Sequence, residues 1–357
     1  MSTVKGIRIK NALLGGGLTG AELETLLADP GNLGPYIEQL NLRGAVRSLT
    51  QTPQAMDIVA DSAISRAEVM RSPFAYAQSL AAPMPVGKFI AGLAGLVPAD
   101  YDDIAAVAAS QVAMDALAAS QVAMDTLAAS QVAMDAVYAS PVAVAAVFGE
   151  QRYAIYGPHP SQITVTGQGV SLWADASGNG RDFTQGTDAS RPPYTGTLGD
   201  YTVPSFVGTA DRLESTLFGA LGANWVALTV YRRTAVGGGA PIFGVDVQDS
   251  LGADNVAGQA HFVNNGSDQT AVAVHAENTY GLVTWSAVVP ASINGMTAGS
   301  APDFSGTNWR IGFGRLAGGD YYFQGQIAEL VFFSAGFSQT DVDRVTRMLK
   351  VKYGLPL

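Results

Sequence analysis

The hexapeptide Ser-Gln-Val-Ala-Met-Asp occurs three times at ten-residue intervals, at Ser110–Asp115, Ser120–Asp125 and Ser130–Asp135. Internal repetition fixes the architecture of the segment that carries it. An α-helix has 3.6 residues per turn, so ten residues fall about 80° short of three turns, and one continuous helix would wind its apolar stripe around the cylinder. The period therefore predicts short helices of about two turns, each followed by a tight corner, stacked into an array.

Each repeat also carries the signals of a helix start. The serine is a natural N-cap, and apolar residues follow on one helix face, as in Ala113, Met114 and Leu117. The pair Ser140-Pro141 agrees, because proline is favoured directly after an N-cap and would break a helix interior. An Ala-rich linker helix is the alternative, since alanine is the best helix former.

The composition divides the chain into regions. The repeat pattern extends over residues 50–80 and 98–149, interrupted by the Pro/Gly-rich stretch 82–98. After residue 150 the chain becomes rich in Gly, Thr, Val and aromatic residues, and all four tryptophans lie there. We expect three parts: an N-terminal region at residues 1–50, helical ten-residue repeats at 51–150, and a C-terminal domain at 151–357.

Charge and cysteine content exclude several classes of protein. The net charge is −10, which argues against a nucleic-acid partner, and the absence of cysteine excludes disulfides and thiolate chemistry. Three glycines at 15–17 end the first apolar run well short of a signal-peptide core. The apolar stretch Val86–Val97 contains Lys88 and is too short to span a bilayer. We expect a soluble product of the cytoplasm without membrane insertion.

The C-terminal half reads as a β-sandwich. Between residues 162 and 334, short alternating apolar runs are separated by Gly, Asn, Asp and Ser clusters, as in an antiparallel sandwich or jelly roll. The stretch Ser338–Asp341 resembles a capping box, and an apolar face follows until Gly354 ends the helix. The sequence therefore predicts a multidomain α + β fold: stacked ten-residue helical repeats, then an antiparallel β-sandwich with a terminal helix.

The C-terminal half and the ten-residue repeats each resemble known families. The stretch Val170–Gly180, with Arg191–Tyr194 and Val203–Phe206, resembles the opening of a laminin-G-like, concanavalin-A-like jelly roll. The closing stretch, Trp309–Gly314 and Phe323–Leu330 followed by a helix, is similar to the end of that fold. The Ala/Ser-rich decamers resemble repeats in structural proteins of tailed bacteriophages. These resemblances cover residues 155–357 and the repeats, and they imply a fold and a setting without naming a ligand.

One turn is a candidate metal site. Asp175, Ser177, Asn179 and Asp182 form the densest cluster of oxygen-bearing side chains, on a Gly-rich loop. Carboxylate and amide oxygens suit a hard cation such as Ca²⁺, and the resemblance implies one as well. The same residues are also ideal for a structural turn, because Gly and Asn accept positive φ and Asp caps its own turn. Asp175, Asn179 and Asp182 are therefore candidate calcium ligands, with a purely structural turn as the alternative.

Aromatic side chains are the candidate ligand-binding residues. Tryptophans in the strands of a sandwich belong to its core more often than to a sugar platform. Tyr321 and Tyr322 differ, because they follow Gly318-Gly319-Asp320 in an expected loop. This pair is our candidate surface contact for a ligand.

Signals of catalysis are missing from the sequence. Glycoside hydrolysis needs two carboxylates at a fixed separation, but Glu277 and Glu329 stand alone and Glu214 has only Asp211 nearby, in an expected turn. The three histidines lack metal-ligand spacing, and no Gly-x-Ser-x-Gly motif occurs. We expect no catalytic residues and no enzymatic activity.

The resemblances imply a virion structural protein of a tailed phage, preferably a tail fibre or spike. In this interpretation residues 1–50 anchor the chain to the particle, the repeats form a spacer, and the jelly roll binds a host surface glycan. Implied partners are other virion proteins and further copies of the chain, for example in a trimer. The alternatives are a head or tail decoration protein with a purely architectural jelly roll, and a glycan-acting enzyme.

Overall fold

The computed structural model confirms the predicted fold class, a helical N-terminal region followed by an antiparallel β-sandwich with a terminal helix. The structure describes residues 44, 46–207, 210–219, 221, 224–234, 240–245, 250–253, 259–264, 267–273, 278–288, 292–294, 296–297, 304, 309–316 and 319–357. The proposed anchor at residues 1–50 lies almost entirely outside these residues.

The helical region consists of short helices, as the ten-residue period predicts. Its bounds are α1 Pro53–Asp61, α2 Ala63–Arg71, α3 Pro73–Leu80, α4 Pro83–Leu93, α5 Ile104–Ala109, α6 Gln111–Ala118, α7 Gln121–Ala128, α8 Gln131–Ala139 and α9 Pro141–Phe148, with a 3₁₀ turn at Pro98–Asp100.

Serine side chains cap the repeats as expected. The hydroxyls of Ser110, Ser120, Ser130 and Ser140 each accept a hydrogen bond of 3.2–3.3 Å from the amide three residues later. Each capping serine has extended backbone angles, which end the preceding helix and turn the chain. Helices α8 and α9 consequently meet at 108°. The repeats therefore form a stacked array and not a rod.

We had expected the Pro/Gly-rich stretch 82–98 to interrupt the array. It does not. It forms α4, which is buried along most of its length, with Pro83 in the first turn, where proline is tolerated. A Cβ added to Gly92 would lie 2.0 Å from the carbonyl oxygen of Ala60, and one added to Gly87 would lie 2.2 Å from the carbonyl carbon of Asp103. The glycines are therefore needed where neighbouring chain segments cross α4 closely.

Strands occupy most of the C-terminal half. Their bounds are β1 Arg152–Tyr156, β2 Ile163–Thr166, β3 Gly169–Trp173, β4 Phe183–Thr184, β5 Tyr194–Leu198, β6 Tyr201–Val207, β7 Leu213–Ser215, β8 Val226–Arg233, β9 Ala240–Val245, β10 Ser250–Ala253, β11 Gln259–Asn264, β12 Ser267–Ala273, β13 Gly281–Ser286, β14 Ser292–Ile293, β15 Met296–Thr297, β16 Trp309–Ile311, β17 Phe313–Leu316, β18 Gly319–Tyr322 and β19 Gln324–Phe333. A 3₁₀ turn covers Asp188–Ser190, and the terminal helix α10 is Gln339–Lys352.

The strands form two stacked antiparallel sheets. The inner sheet has the order β15-β14-β13-β8-β19-β6-β5, with β1 pairing to β19. The outer sheet has the order β12-β11-β10-β9-β16-β7-β4-β3-β2. Strands β17 and β18 pair with each other as a hairpin.

The central strands β8 and β19 of the inner sheet are buried on both faces. Along β8, Val226, Leu228 and Val230 point into a core shared with the helices, whereas Ala227 and Tyr231 point into the core between the two sheets. This alternation is the two-residue period of a strand. The molecule thus has three layers: helices, inner sheet and outer sheet.

The repeat array shares its core with the sandwich. Residues of α6–α9, such as Met124 and Val137, belong to the same buried cluster as Val331 of β19 and Val345 of α10. The described repeats lie against the inner sheet, because their apolar face needs a partner and the outward side chains of that sheet are apolar too. Their role as a spacer stays a prediction.

Among the described helices, no single one has the length and apolar character required to cross a membrane. The bent pair α8 and α9 meets that requirement only when its two helices are counted together.

Candidate functional site

A row of polar side chains crosses the outer face of the outer sheet. Thr184 of β4 lies opposite Glu214 of β7, which lies opposite Arg310 of β16. The neighbouring residues Trp309 and Ile311 point into the core and are fully buried. Strand alternation therefore directs the three polar side chains away from the core.

Two arginines hold the central carboxylate of this row. Glu214 Oε1 accepts hydrogen bonds from Arg212 Nε at 2.6 Å and from Arg310 Nε at 3.2 Å. Burial alone would raise the pKa of the Glu214 carboxyl, but these two guanidinium groups hold its pKa below the ordinary value. Glu214 lies in β7 and not in the expected turn, whereas the nearby acid Asp211 accepts a hydrogen bond from the amide of Val207.

The polar row borders a concave site that we call the outer-sheet pocket, lined by Asp182, Thr184, Glu214, Ser215, Thr216, Leu217, Trp309 and Arg310. Its volume is about 370 Å³, within the range of about 300–1,000 Å³ usual for small-ligand sites. Thr216 is exposed, and Leu217 is 66% exposed. The pocket thus offers planar charged groups, hydroxyls and one apolar surface, a combination that can bind a polyhydroxylated ligand.

The structure brings the predicted calcium ligands together in one turn beside this pocket. Asp175 Oδ1 accepts hydrogen bonds from the amides of Ile155 at 3.0 Å and Ser177 at 2.8 Å, and Oδ2 accepts from the Ser177 hydroxyl at 2.7 Å. Asp182 Oδ1 accepts from the amide of Asp175 at 2.8 Å. These oxygens organise the backbone of the turn itself, which is the structural alternative.

The third predicted ligand has a similar role. Asn179 Nδ2 donates to the carbonyl of Tyr153 at 3.0 Å, tying the turn to β1. In the described part of the chain, no group of three or more His, Cys, Asp or Glu side chains is placed to hold a metal ion. Calcium binding by Asp175, Asn179 and Asp182 stays a prediction.

Tyr321 and Tyr322 lie in a strand and not in a loop. Both belong to β18, where Tyr322 pairs with Phe313 and Tyr321 pairs with Gly314 of β17. The loop prediction is wrong, because two adjacent tyrosines suit a pleated strand and Gly319 and Asp320 belong to the same strand. Tyr322 is half-buried. Ligand binding by this pair stays a prediction.

The tryptophans belong to the core, as expected. Trp173, Trp225, Trp285 and Trp309 are all fully buried, and Tyr231 is 1% exposed. Their burial removes them as stacking platforms for a sugar at the surface.

A second groove lies between the terminal helix and the inner sheet. This terminal-helix groove has a volume of about 930 Å³, and Asp343, Thr346 and Lys350 of α10 line it opposite Tyr280 and Thr284. Burial raises the pKa of Tyr280 to about 12. The groove is larger than the outer-sheet pocket.

Sequence reasoning missed a buried polar cluster where the helices meet the inner sheet, which we call the junction cluster. Glu329 of β19 and Lys352 of α10 have fully buried side chains, with Nζ 2.6 Å from Oε2. Tyr138 of α8 donates to Glu329 Oε1, and Tyr353 donates to Oε2 at 2.6 Å. The cluster therefore joins the repeat array, the sandwich and the terminal helix.

The junction cluster extends through a buried histidine to the half-buried Asp135. His159 Nε2 lies 2.8 Å from Lys352 Nζ, and its Nδ1 lies 2.5 Å from Asp135 Oδ1 in α8. Burial, and secondarily the charge of Lys352, holds the pKa of His159 well below its ordinary value. Burial also lowers the pKa of Lys352, against the opposing effect of Glu329. His159 is therefore neutral at neutral pH, with Nδ1–H donating to Asp135 and Nε2 accepting from Lys352.

A bulge places Glu329 in this cluster. The pairing of β19 with β8 shifts between Ile327 and Glu329. Ile327 points between the sheets, whereas Ala328 and Glu329 both lie on the helix side. The only sequence signal was an isolated acid within the apolar run Gln324–Phe333.

Comparisons with known proteins show no relative by sequence. No family model matches the chain, and no curated protein matches it. Among solved structures, a mutant of Trypanosoma rangeli sialidase displaying trans-sialidase activity is 12% identical with a TM-score of 0.39, over 61% of this chain and 36% of the sialidase. The chain thus spans little more than a third of that protein.

Two binding domains give similar values. The binding domain of botulinum neurotoxin DC in complex with SialylT is 12% identical with a TM-score of 0.37, over 57% of this chain and 52% of that one. Domain 4 of AbnA, an extracellular arabinanase from Geobacillus stearothermophilus, in complex with arabinotriose, is 14% identical with a TM-score of 0.35, over 54% of this chain and 98% of the domain.

Proposed function

We propose that the protein is a carbohydrate-binding structural protein of a tailed-phage virion, and that the outer-sheet pocket binds the glycan. The observation that carries the binding proposal is the row Thr184, Glu214 and Arg310, fixed by ion pairs on the open face of the sandwich. The helices cover much of the opposite sheet, and the terminal-helix groove is the open part of that face.

The chemistry of the pocket suits sugar hydroxyls. Carboxylate and guanidinium groups are planar and can each bind two neighbouring hydroxyls, and both are held in place before a ligand arrives. The exposed Leu217 offers an apolar surface for the C–H face of a sugar ring. Because its pKa is lowered, Glu214 is ionised at neutral pH and accepts hydrogen bonds without donating a proton. An ionised Glu214 cannot act as the general acid that glycoside hydrolysis requires.

Arg310→Ala tests the site. We expect its affinity for a surface polysaccharide from the host, measured with immobilised glycan, to fall roughly 10- to 100-fold, since a lost hydrogen bond to a charged group costs about 1.5–3 kcal/mol. Arg71→Ala is the control, because Arg71 forms an exposed ion pair with Glu68 in the helical region. We expect no change in its affinity.

Variants in the terminal-helix groove separate the two sites. If Tyr280→Ala weakens glycan binding and Arg310→Ala does not, the pocket assignment is wrong and the larger groove is the site. If the full chain binds no host glycan, the carbohydrate proposal fails. Release of new reducing ends from the polysaccharide would instead support an enzyme.

The proposal of a virion protein is supported by the Ala/Ser-rich ten-residue repeats in the sequence, which resemble repeats in structural proteins of tailed bacteriophages. A fibre or spike that contacts the host, in several copies beside other virion proteins, is the form we favour over an architectural decoration. Mass spectrometry of purified particles should find the chain at a defined stoichiometry. Particles carrying Arg310→Ala should assemble yet adsorb poorly, whereas normal adsorption would favour the architectural role.

A further inference from the structure

The ion pair at the centre of the junction cluster is fully buried. The side chains of Glu329 and Lys352 are both 0% exposed, and Nζ lies 2.6 Å from Oε2. The rings of Tyr138, Tyr201 and Tyr353 surround the ammonium group at 4.7–5.1 Å. Burying two ions costs free energy that their attraction often fails to recover. A reaction that removes both charges is therefore favoured at this position.

The neighbouring groups match the needs of amide formation. Tyr138 donates to Glu329 Oε1, which would stabilise negative charge on that oxygen during attack at Cδ. Tyr353 donates to Oε2 at 2.6 Å, the oxygen nearest the amine. Neutral His159 presents Nε2 at 2.8 Å from Lys352 Nζ and can accept a proton, with Asp135 holding Nδ1–H.

We propose that Lys352 and Glu329 condense spontaneously into an intramolecular amide between Nζ and Cδ. Proton transfer within the pair first gives the neutral amine and the neutral carboxylic acid. The Nζ lone pair attacks Cδ and forms the C–N bond, while His159 takes one proton from nitrogen. The C–Oε2 bond then breaks, and Oε2 receives that proton and leaves as water. The balance is one amine and one acid giving one amide and one water, with no oxidant or cofactor.

The fixed proximity of the amine and the carboxyl group favours the condensation, which is unfavourable between separate molecules in water. Fixed neighbouring groups react with effective concentrations on the order of 10⁵–10⁸ M, which offsets the excess of water that disfavours condensation. The product would tie the end of α10 to the centre of β19. The helix that covers the inner sheet would then stay attached when the rest of the fold opens.

Intact mass of the denatured full-length chain tests the proposal. We expect a species lighter than the sequence mass by one water. After trypsin digestion, tandem mass spectrometry should find a branched peptide joining the segments around Glu329 and Lys352. Cleavage after Lys352 should be lost, whereas cleavage after Lys350, a half-buried lysine on the same helix, serves as the matched control.

Lys352→Arg keeps the positive charge but replaces the amine with a guanidinium that remains protonated. This variant should have the full sequence mass. A wild-type chain at the full sequence mass overturns the proposal whatever the variants do. Loss of water that persists in Lys352→Arg, or that maps to another residue, overturns it as well.

Discussion

Arg347 of the terminal helix forms a two-point ion pair with Asp125 of the second decamer, with Nε 2.9 Å from Oδ1 and Nη2 2.8 Å from Oδ2. Asp115 holds the same position in the first decamer, yet its carboxylate is exposed and accepts a hydrogen bond from Gln111 of its own helix at 2.7 Å. Asp135, in the third decamer, contacts His159. The aspartates at the same position of three identical hexapeptides thus have three different environments.

Asp125→Asn should lower the melting temperature more than Asp115→Asn does. The hydrogen bonds from Arg347, opposed by burial, hold the pKa of Asp125 below its ordinary value of 3.8. A lowered pKa in the folded chain means that the pair stabilises above that value and is lost as the pH falls below it. Thermal denaturation at neutral pH and again near pH 3 measures both effects. We expect the gap between the two variants to shrink at the lower pH.

Ser130→Ala should cost more stability than Ser110→Ala. Both serines cap a helix, which is worth about 1 kcal/mol. Ser130 is buried and also donates to the carbonyl oxygen of Leu80 at 2.9 Å, so its loss leaves a buried acceptor unpaired at a further cost of about 1–3 kcal/mol. Urea denaturation of both variants measures the difference. Equal losses would mean that the contact with Leu80 contributes nothing.

The repeat array could be predicted from the sequence because its signals are local. A serine cap and the helix face that follows it lie within a few residues, so spacing alone reveals them. The strands and terminal helix were predictable for the same reason. The junction cluster was not, since Tyr138 and Glu329 are 191 residues apart and no spacing rule links them. The outer-sheet pocket depends on the register of β4, β7 and β16, which the sequence does not fix.

Asp175→Asn should destabilise the sandwich in the absence of calcium. The Asp175 carboxylate accepts hydrogen bonds from three backbone amides and the Ser177 hydroxyl, and an amide nitrogen would face some of these donors. We expect a loss of about 1–3 kcal/mol in urea denaturation. The exposed Asp200 is the control, and Asp200→Asn should stay within about 0.5 kcal/mol of wild type.

The same samples test the calcium prediction. If the turn holds an ion, added calcium should raise the melting temperature of the wild type and a chelator should reverse it. The rise should be absent in Asp175→Asn. An equal rise in both proteins would place calcium elsewhere in the chain.

Because of His159, the free energy of unfolding should decrease as the pH falls from 7 to 5.5. The unfolded chain has an ordinary histidine pKa near 6.5, whereas burial and then Lys352 hold the pKa of His159 well below that value in the folded chain. Below 6.5 the unfolded chain therefore binds a proton that the folded chain does not, and the free energy of unfolding decreases by up to about 1.4 kcal/mol per pH unit. Burial raises the pKa of Asp135, which contacts His159, so any proton that this carboxyl takes up in the folded chain acts in the opposite direction.

His159→Gln isolates this effect from the other two histidines. The variant should be less stable at pH 7, because it loses the contacts with Asp135 and Lys352. Its stability should nevertheless vary less with pH than that of the wild type, since it lacks the imidazole of His159, whose pKa is lowered in the folded chain. Urea midpoints at several pH values give both slopes. Parallel slopes would show that His159 takes up its proton equally in the folded and unfolded chains, and that the junction cluster tolerates a charged imidazole.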